Sequence, residues 1–187
     1  MKYLKSWKKL ITLSVAVFFL LNLNCAKQND NPGLSSQTQP TQKKEPQPAE
    51  ASRLSQPFPS LLLRDVNDRV VPSDQILAGK NSVVIFLSTT CQPCTDEIDR
   101  WKPLIPNLES AYQVIGISAE PIAELALYSQ ERQINFPVYS DASELLVDYF
   151  RISTYPTIVG VTPDRIVKFI RPGYAADLKP AQYLQAF

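Results

Sequence analysis

There is no histidine among the 187 residues of this chain. Its absence removes imidazole metal ligands, the Ser-His and Cys-His pairs that activate nucleophiles, and acid-base chemistry by a ring that titrates near neutrality. Only three cysteines are present, so a structural zinc site, which needs four ligands, cannot be assembled by the usual combinations. A charge surplus is lacking too, with 19 Lys and Arg against 18 Asp and Glu. Four of those lysines (Lys2, Lys5, Lys8, Lys9) precede Leu10, and without the first 24 residues the balance becomes 15 minus 18, or minus 3. Nucleic-acid binding needs clustered surplus cations, and nothing in this balance suggests it. What the chain does have is 44% hydrophobic and 20% charged residues with 16 prolines. That is the composition of a globular protein carrying a proline-heavy segment, at a length that suits one domain with appendages.

The N-terminus reads as an export signal: the lysines are followed by the mainly apolar run LITLSVAVFFLLNL, Leu10 to Leu23. Its fourteen residues fall short of the about 20 that a membrane-spanning helix requires. Cys25 follows directly in LNLNCA, which resembles the lipobox of bacterial lipoproteins, a family in which this cysteine is acylated and becomes the mature N-terminus. That family prefers leucine three places before the cysteine and a small residue just before it. Here Asn22 and Asn24 occupy those places, with Leu21 and Leu23 flanking the first. The competing reading is an incidental Cys25 behind an uncleaved anchor or an ordinary signal, and either way the domain is expected outside the cytoplasm. Residues 26 to 56 are rich in Gln, Pro and Ser and almost free of large apolar side chains. Such a stretch cannot bury enough surface to offset its ordering entropy, and it reads as a flexible tether. The expected organisation is a lipoprotein-type signal peptide over 1–24, a lipidated N-terminus and linker over 25–56, and a folded domain over 57–187.

Within the domain the hydrophobic periods alternate. LLLRDVNDRVV (61 to 71) predicts two short strands around an Asn-Asp turn, and SDQILAGK (73 to 80) a helical turn closed by Gly79. SVVIFLS (82 to 88) is an unbroken β-branched and aromatic run, as expected of a strand buried on both faces. CQPC follows, opening a helix expected to reach about Tyr112 with bends at Pro103 and Pro106. QVIGISA (113 to 119) predicts a second buried strand and IAELALYSQERQ (122 to 133) an amphipathic helix. FPVYSD (136 to 141) reads as an edge or connecting strand and ASELLVDYF (142 to 150) as a helix. TIVGVT and RIVKFI (157 to 170) predict a hairpin around Pro163-Asp164, and a last helix starts near Leu178. Alternating strands and helices with a closing hairpin imply an α/β architecture with a central sheet covered by helices.

The chemistry is concentrated in STTCQPCTDE, residues 88 to 97. A c-type haem site would require histidine directly after the second cysteine, where Thr95 stands. A purely structural disulfide between residues three apart would staple almost nothing, because stabilisation grows with loop length. A redox couple remains as the reading opposed to that structural one. Its position favours the first: the motif leaves a buried strand and opens a helix, so the positive end of the helix dipole and free N–H groups face Cys91 and stabilise a thiolate.

FPSLLLRDVNDRVVPSDQILAGKNSVVIFLSTTCQPCTDEIDRW and FPVYSDASELLVDYFRISTYPTIVGVTPDRIVKFIRPG together resemble the thioredoxin-like thiol-disulfide oxidoreductases of the TlpA and ResA group. The resemblance implies a thioredoxin-like fold, a mixed sheet with helices on both faces and an N-terminal β-hairpin extension. It assigns Cys91 as nucleophile and Cys94 as resolving thiol, the two forming the redox disulfide. It also assigns Pro156 as a cis proline lying against the CxxC, with Tyr155 offering backbone groups to a substrate peptide; the alternative is a trans proline opening a strand. An acid commonly lies three residues after the second cysteine of the group, and Glu97 is there. Spacing of i to i+3 puts it on the face of Cys94, where it can pass a proton, whereas the alternative is a surface acid of the first turn that favours the dipole. No cofactor and no metal are implied. The implied partners are a disulfide-containing protein, apocytochromes included, and a membrane thiol electron donor, with the lipid anchor holding the protein at the extracytoplasmic face.

Two departures from the thioredoxin pattern stand out. Thr90 replaces the aromatic residue that usually precedes the first cysteine, and Ile85 replaces the buried acid that thioredoxin carries six residues before it. The first changes the surface a partner meets, and the second leaves Glu97 as the acid near the motif in sequence. Two other functions compete. A peroxiredoxin-like thiol peroxidase would show proline where Val84 stands and a hydroxyl residue where Ser88 stands, so one of the two fits. A redox-inactive lipoprotein binding module would keep the fold and leave the thiols idle. A copper chaperone would need CxxxC and a histidine, and the chain has neither.

Overall fold

The computed structural model describes residues 52–187. One seven-stranded sheet organises them, with strands β1 (Leu62–Asp65), β2 (Val70–Pro72), β3 (Asn81–Phe86), β4 (Tyr112–Ser118), β5 (Val138–Ser140), β6 (Thr157–Val161) and β7 (Val167–Pro172). Their order across the sheet is β2-β1-β5-β4-β3-β6-β7. β3, β4 and β5 run parallel, while the β1-β2 and β6-β7 hairpins extend the sheet with antiparallel pairs at its two sides. The helices are α1 (Ser73–Leu77), α2 (Gln92–Trp101), α3 (Ile122–Glu131), α4 (Leu145–Phe150) and α5 (Pro180–Leu184).

The unbroken apolar run of β3 is explained by the two-residue period of a strand. Val83, Ile85 and Leu87 point to one face, against Ile98 and Trp101 of α2, Leu125 and Tyr128 of α3, and Tyr183 of α5. Val84 and Phe86 point to the other, against Leu77 of α1 and Leu146 and Phe150 of α4. Both faces are covered, so neither needs a polar residue. The N-terminal hairpin expected from LLLRDVNDRVV is present, closed by Asp65, whose Oδ1 accepts from the N–H groups of Asn67 and Arg69 at 2.9 and 3.0 Å. The chain is already attached to this body before Pro57: Ser55 N–H donates to Val167 O at 2.8 Å, and Arg53 lies 4.0 Å over the Tyr149 ring.

Three elements differ from the sequence reading. The helix after the CxxC stops at Trp101, because Pro103 has no N–H to return to the Asp99 carbonyl and its ring would collide there. A separate 3-10 turn, Ile105–Asn107, bridges to β4. β5 is an interior strand, since the N-terminal hairpin docks against it and β1 pairs with it antiparallel. The helix expected from residue 142 begins at Leu145, since Glu144 takes a left-handed φ of 58° and ends a turn that starts at Asp141. Among the described residues no helix is long and apolar enough to cross a membrane.

Candidate active site

β3 delivers the CxxC. After Phe86 the chain leaves the sheet, and Cys91, with φ −92° and ψ 108°, becomes the N-cap of α2. Its Sγ accepts from the Cys94 N–H at 3.2 Å, so one of the orphan donors of the first turn is aimed at this sulfur. Pro93 fits in the first turn, where an N–H would have no helical partner. Cys91 and Cys94 are joined in a disulfide with their Cα atoms 5.3 Å apart. The two sulfurs are not equivalent: Cys91 is half-buried at the helix tip, and Cys94 is 0% exposed inside the core cluster.

The loop before Cys91 is pinned from α3 and from the turn that leads into it. Thr89 N–H donates to Glu120 Oε1 at 3.0 Å, and Thr89 Oγ1 donates to Glu124 Oε1 at 2.9 Å. Ser88 and Thr90 hydroxyls lie 3.3 Å apart. On the other side of β3 the register sets Thr157 opposite Phe86, so Pro156 enters the sheet beside the strand end from which the CxxC loop departs. The Tyr155-Pro156 bond is cis. Pro156 is buried, its carbonyl accepts from Gly173 N–H at 2.7 Å, and the half-buried Tyr155 packs against both core clusters. Burial raises the Tyr155 hydroxyl pKa, with the charges of Glu120, Glu144 and Asp141 adding to it.

One turn below Cys94 lies Glu97, 0% exposed. A buried carboxylate is costly unless both oxygens are satisfied, and here they are: Trp101 Nε1–H donates to Oε1 at 2.8 Å and Arg100 Nη1–H to Oε2 at 3.2 Å. Burial pushes the Glu97 pKa up, while the Trp101 hydrogen bond and the Arg100 charge pull the other way. Asp96, its sequence neighbour, is turned away and accepts from Gln92 Nε2 at 2.9 Å. The register therefore brings the Cys91–Cys94 pair and Tyr155-Pro156 to the same end of β3, with Glu97 one turn further along α2. Cys25 lies outside the described residues. Sequence reasoning missed Arg100, Trp101, Glu120 and Glu124. The i+3 and i+4 spacing of Arg100 and Trp101 from Glu97 was the available signal for the first two.

Such an arrangement can carry two-electron thiol chemistry: an accessible sulfur at a helix N-terminus, a second sulfur to close on it, and a buried carboxyl with a raised pKa one turn away. Comparisons with known proteins bear on which thiol chemistry this is. Residues 54–170 match the AhpC/TSA family. The thiol-disulfide oxidoreductase ResA of Bacillus subtilis (strain 168) is 27% identical over 120 residues, covering 60% of this chain and 64% of that relative. The chain thus spans just under two thirds of the curated relative's length. Among solved structures, peroxidoxin BcpB of Mycobacterium tuberculosis superposes with a TM-score of 0.64 at 18% identity, covering 72% of this chain and 95% of that one. The thiol:disulfide interchange protein DsbE of Chlorobium tepidum does so with 0.62 at 16% identity, covering 70% and 94%. At these identities the structures show the fold alone, which is thioredoxin-like. The chain belongs to the AhpC/TSA family.

Proposed function

We propose that this AhpC/TSA family member is a thiol-disulfide oxidoreductase that reduces protein disulfides at the extracytoplasmic face of a membrane. The observation that carries this reading is the pairing of a half-exposed Cys91 at the α2 N-cap with a fully buried Cys94, set one turn above the buried Glu97. In the reduced protein, the Cys91 thiolate attacks a substrate disulfide and forms a mixed disulfide, releasing one substrate thiolate that takes up a proton. Cys94 gives its proton to Glu97, and its thiolate attacks the Cys91 sulfur. The mixed disulfide breaks, the second substrate sulfur leaves as a thiolate that takes up the proton released through Glu97 and water, and the Cys91–Cys94 disulfide forms, so two electrons have passed to the substrate. Tyr155 and Pro156 would dock the substrate backbone beside Cys91. A membrane thiol donor would return the two electrons, and apocytochrome disulfides, reduced to the thiols that await haem, are among the substrates that the likeness to the ResA group suggests.

Anchoring through an acylated Cys25 belongs to the same proposal, with the tether expected over residues 26 to 56 shortened at its end, because Arg53 and Ser55 are already held by Tyr149 and Val167 of the domain. Cys25→Ser is expected to move the protein into the soluble fraction with its thiol chemistry unchanged; retention in the membrane fraction would refute the anchor.

Peroxide reduction is the second reading, favoured by the AhpC/TSA family match and by Ser88, which stands where the peroxidase pattern has a hydroxyl residue. Val84, in the proline position of the peroxidase pattern, speaks against it. Insulin-disulfide reduction and peroxide consumption, each measured for the wild type and for Cys91→Ser, separate the two. Disulfide reduction that disappears in Cys91→Ser supports the oxidoreductase, whereas Cys91-dependent peroxide consumption without disulfide reduction establishes the peroxidase.

A further inference from the structure

Arg100 makes more polar contacts than any exposed ion pair on the fold would require. Its Nη1 donates to Glu97 Oε2 at 3.2 Å and to Ala175 O at 2.9 Å, its Nη2 donates to Leu178 O, and its guanidinium lies 5.2 Å from the Tyr174 ring centroid. The side chain is 19% exposed against 0% for its carboxylate partner. A planar fork can satisfy a carboxylate oxygen and two carbonyls at once, which an ammonium on a flexible stem cannot do. The carbonyls belong to the segment between β7 and α5. That segment begins at Gly173, which takes the left-handed φ of 79° and donates its N–H to the carbonyl of Pro156. One short stretch of chain therefore touches the substrate-docking proline at one end and, through Arg100, the carboxylate under Cys94 at the other.

We propose that Arg100 is the positioning residue for Glu97, holding its carboxylate under Cys94 and tying it to the segment 173–178 that also supports Pro156. This deepens the oxidoreductase reading and rests on it. The groups that face Glu97 from its own helix are Arg100 and Trp101, and the same helix carries Cys94 one turn earlier. From α5 comes Tyr183, 2% exposed, whose hydroxyl has no hydrogen-bond partner among the described residues and whose pKa is pushed up to about 12 by burial first and by Glu97 next. Arg171 of β7 and Asp177 act on Tyr183 in opposite senses. Arg100 is thus the cation that favours the ionised carboxylate directly. Without it the ionised fraction of Glu97 falls at a given pH, and the carboxylate is a poorer acceptor for the Cys94 proton until the pH is raised.

The test uses the full chain and follows resolution of a preformed Cys91 mixed disulfide with a model peptide from pH 5 to 9, in the wild type, Arg100→Gln, Arg100→Lys and Glu97→Gln. Arg100→Gln is expected to slow resolution roughly tenfold at neutral pH, the size of effect that losing one adjacent opposite charge brings, and to recover towards the wild-type rate as pH rises. Arg100→Lys, which keeps the charge and loses the fork, is expected to lie between the two. Should Arg100→Gln fail to fold, a pH profile of Arg100→Lys displaced upward carries the proposal, and one superimposed on the wild type overturns it. If Glu97→Gln changes the profile but the Arg100 variants do not, Arg100 is a structural clamp only and the inference fails while the oxidoreductase reading stands. If Glu97→Gln also leaves the profile unchanged, the proton role of Glu97 fails and the inference with it. If the wild type forms no mixed disulfide at Cys91, the oxidoreductase reading itself is overturned.

Discussion

Glu97 and Asp141 are both buried carboxyls, 0% and 3% exposed, and burial raises the pKa of each. They differ in what answers the charge. Asp141 sits after β5 and faces backbone: its Oδ2 accepts from Leu146 N–H at 2.7 Å, and the N–H groups of Leu145 and Val147 also favour the charged form. Those donors are the orphan groups of the first turn of α4, so Asp141 is a fixture of the fold. Glu97 is answered by two side chains, Trp101 and Arg100, and lies on the same helix as the cysteine pair. Backbone donors make a carboxylate structural. Side-chain donors can be removed one at a time, which makes the proton role proposed for Glu97 open to test.

The sharpest way to break that distinction is a pair of neutralising substitutions. Glu97→Gln keeps the shape of the side chain and is expected to slow mixed-disulfide resolution by about a hundredfold, the usual scale for losing a general acid-base group. Asp96→Asn, on the side of the helix that meets Gln92, should leave the rate unchanged. Equal behaviour of the two, read by quenched-flow and mass spectrometry, would reduce Glu97 to a buried structural acid like Asp141. Next in size is Asp141→Ala, which orphans the first-turn N–H groups of α4. It should cost about 2 kcal/mol in urea denaturation while leaving the pH profile of resolution where it was.

The smallest effect is in the pH dependence of stability. The folded pKa of Glu97 is raised, so its contribution to stability is fully present below the unfolded carboxyl pKa, about 4.3, and is lost as pH rises through the folded value. Glu97→Gln removes that dependence, so wild type and variant should diverge in urea midpoint as pH rises from about 4, with the wild type losing ground. Midpoints that stay parallel would mean that Trp101 and Arg100 fully offset the burial.

The comparison also marks what can be read from the chain itself. The CxxC at the exit of β3 is legible because a strand buried on both faces has an unmistakable composition and a cysteine at a helix N-terminus a defined chemistry. Glu97 is legible through its spacing from Cys94. The end of α2 is harder to read, because a proline in a helical pattern can bend the helix or end it, and Pro103, two residues beyond Trp101, ends the ladder. The interior place of β5 depends on the docking of the β1-β2 hairpin about 75 residues earlier, a long-range event that no local period encodes. The spacing of Arg100 from Glu97 signals only their ion pair; its link to the segment before α5 is not legible, since its carbonyl partners lie 75 and 78 residues away and backbone oxygens carry no sequence signature.

The central claim is that Cys91 attacks and Cys94 resolves, and trapping tests it most directly. Reduced Cys94→Ser, mixed with a disulfide-bonded peptide, should accumulate one stable peptide adduct on Cys91 by mass spectrometry. The wild type should pass through that adduct and end with the Cys91–Cys94 disulfide and two free peptide thiols. An absence of adduct on Cys91 in the variant, or a stable adduct on Cys94 in Cys91→Ser, would contradict the account.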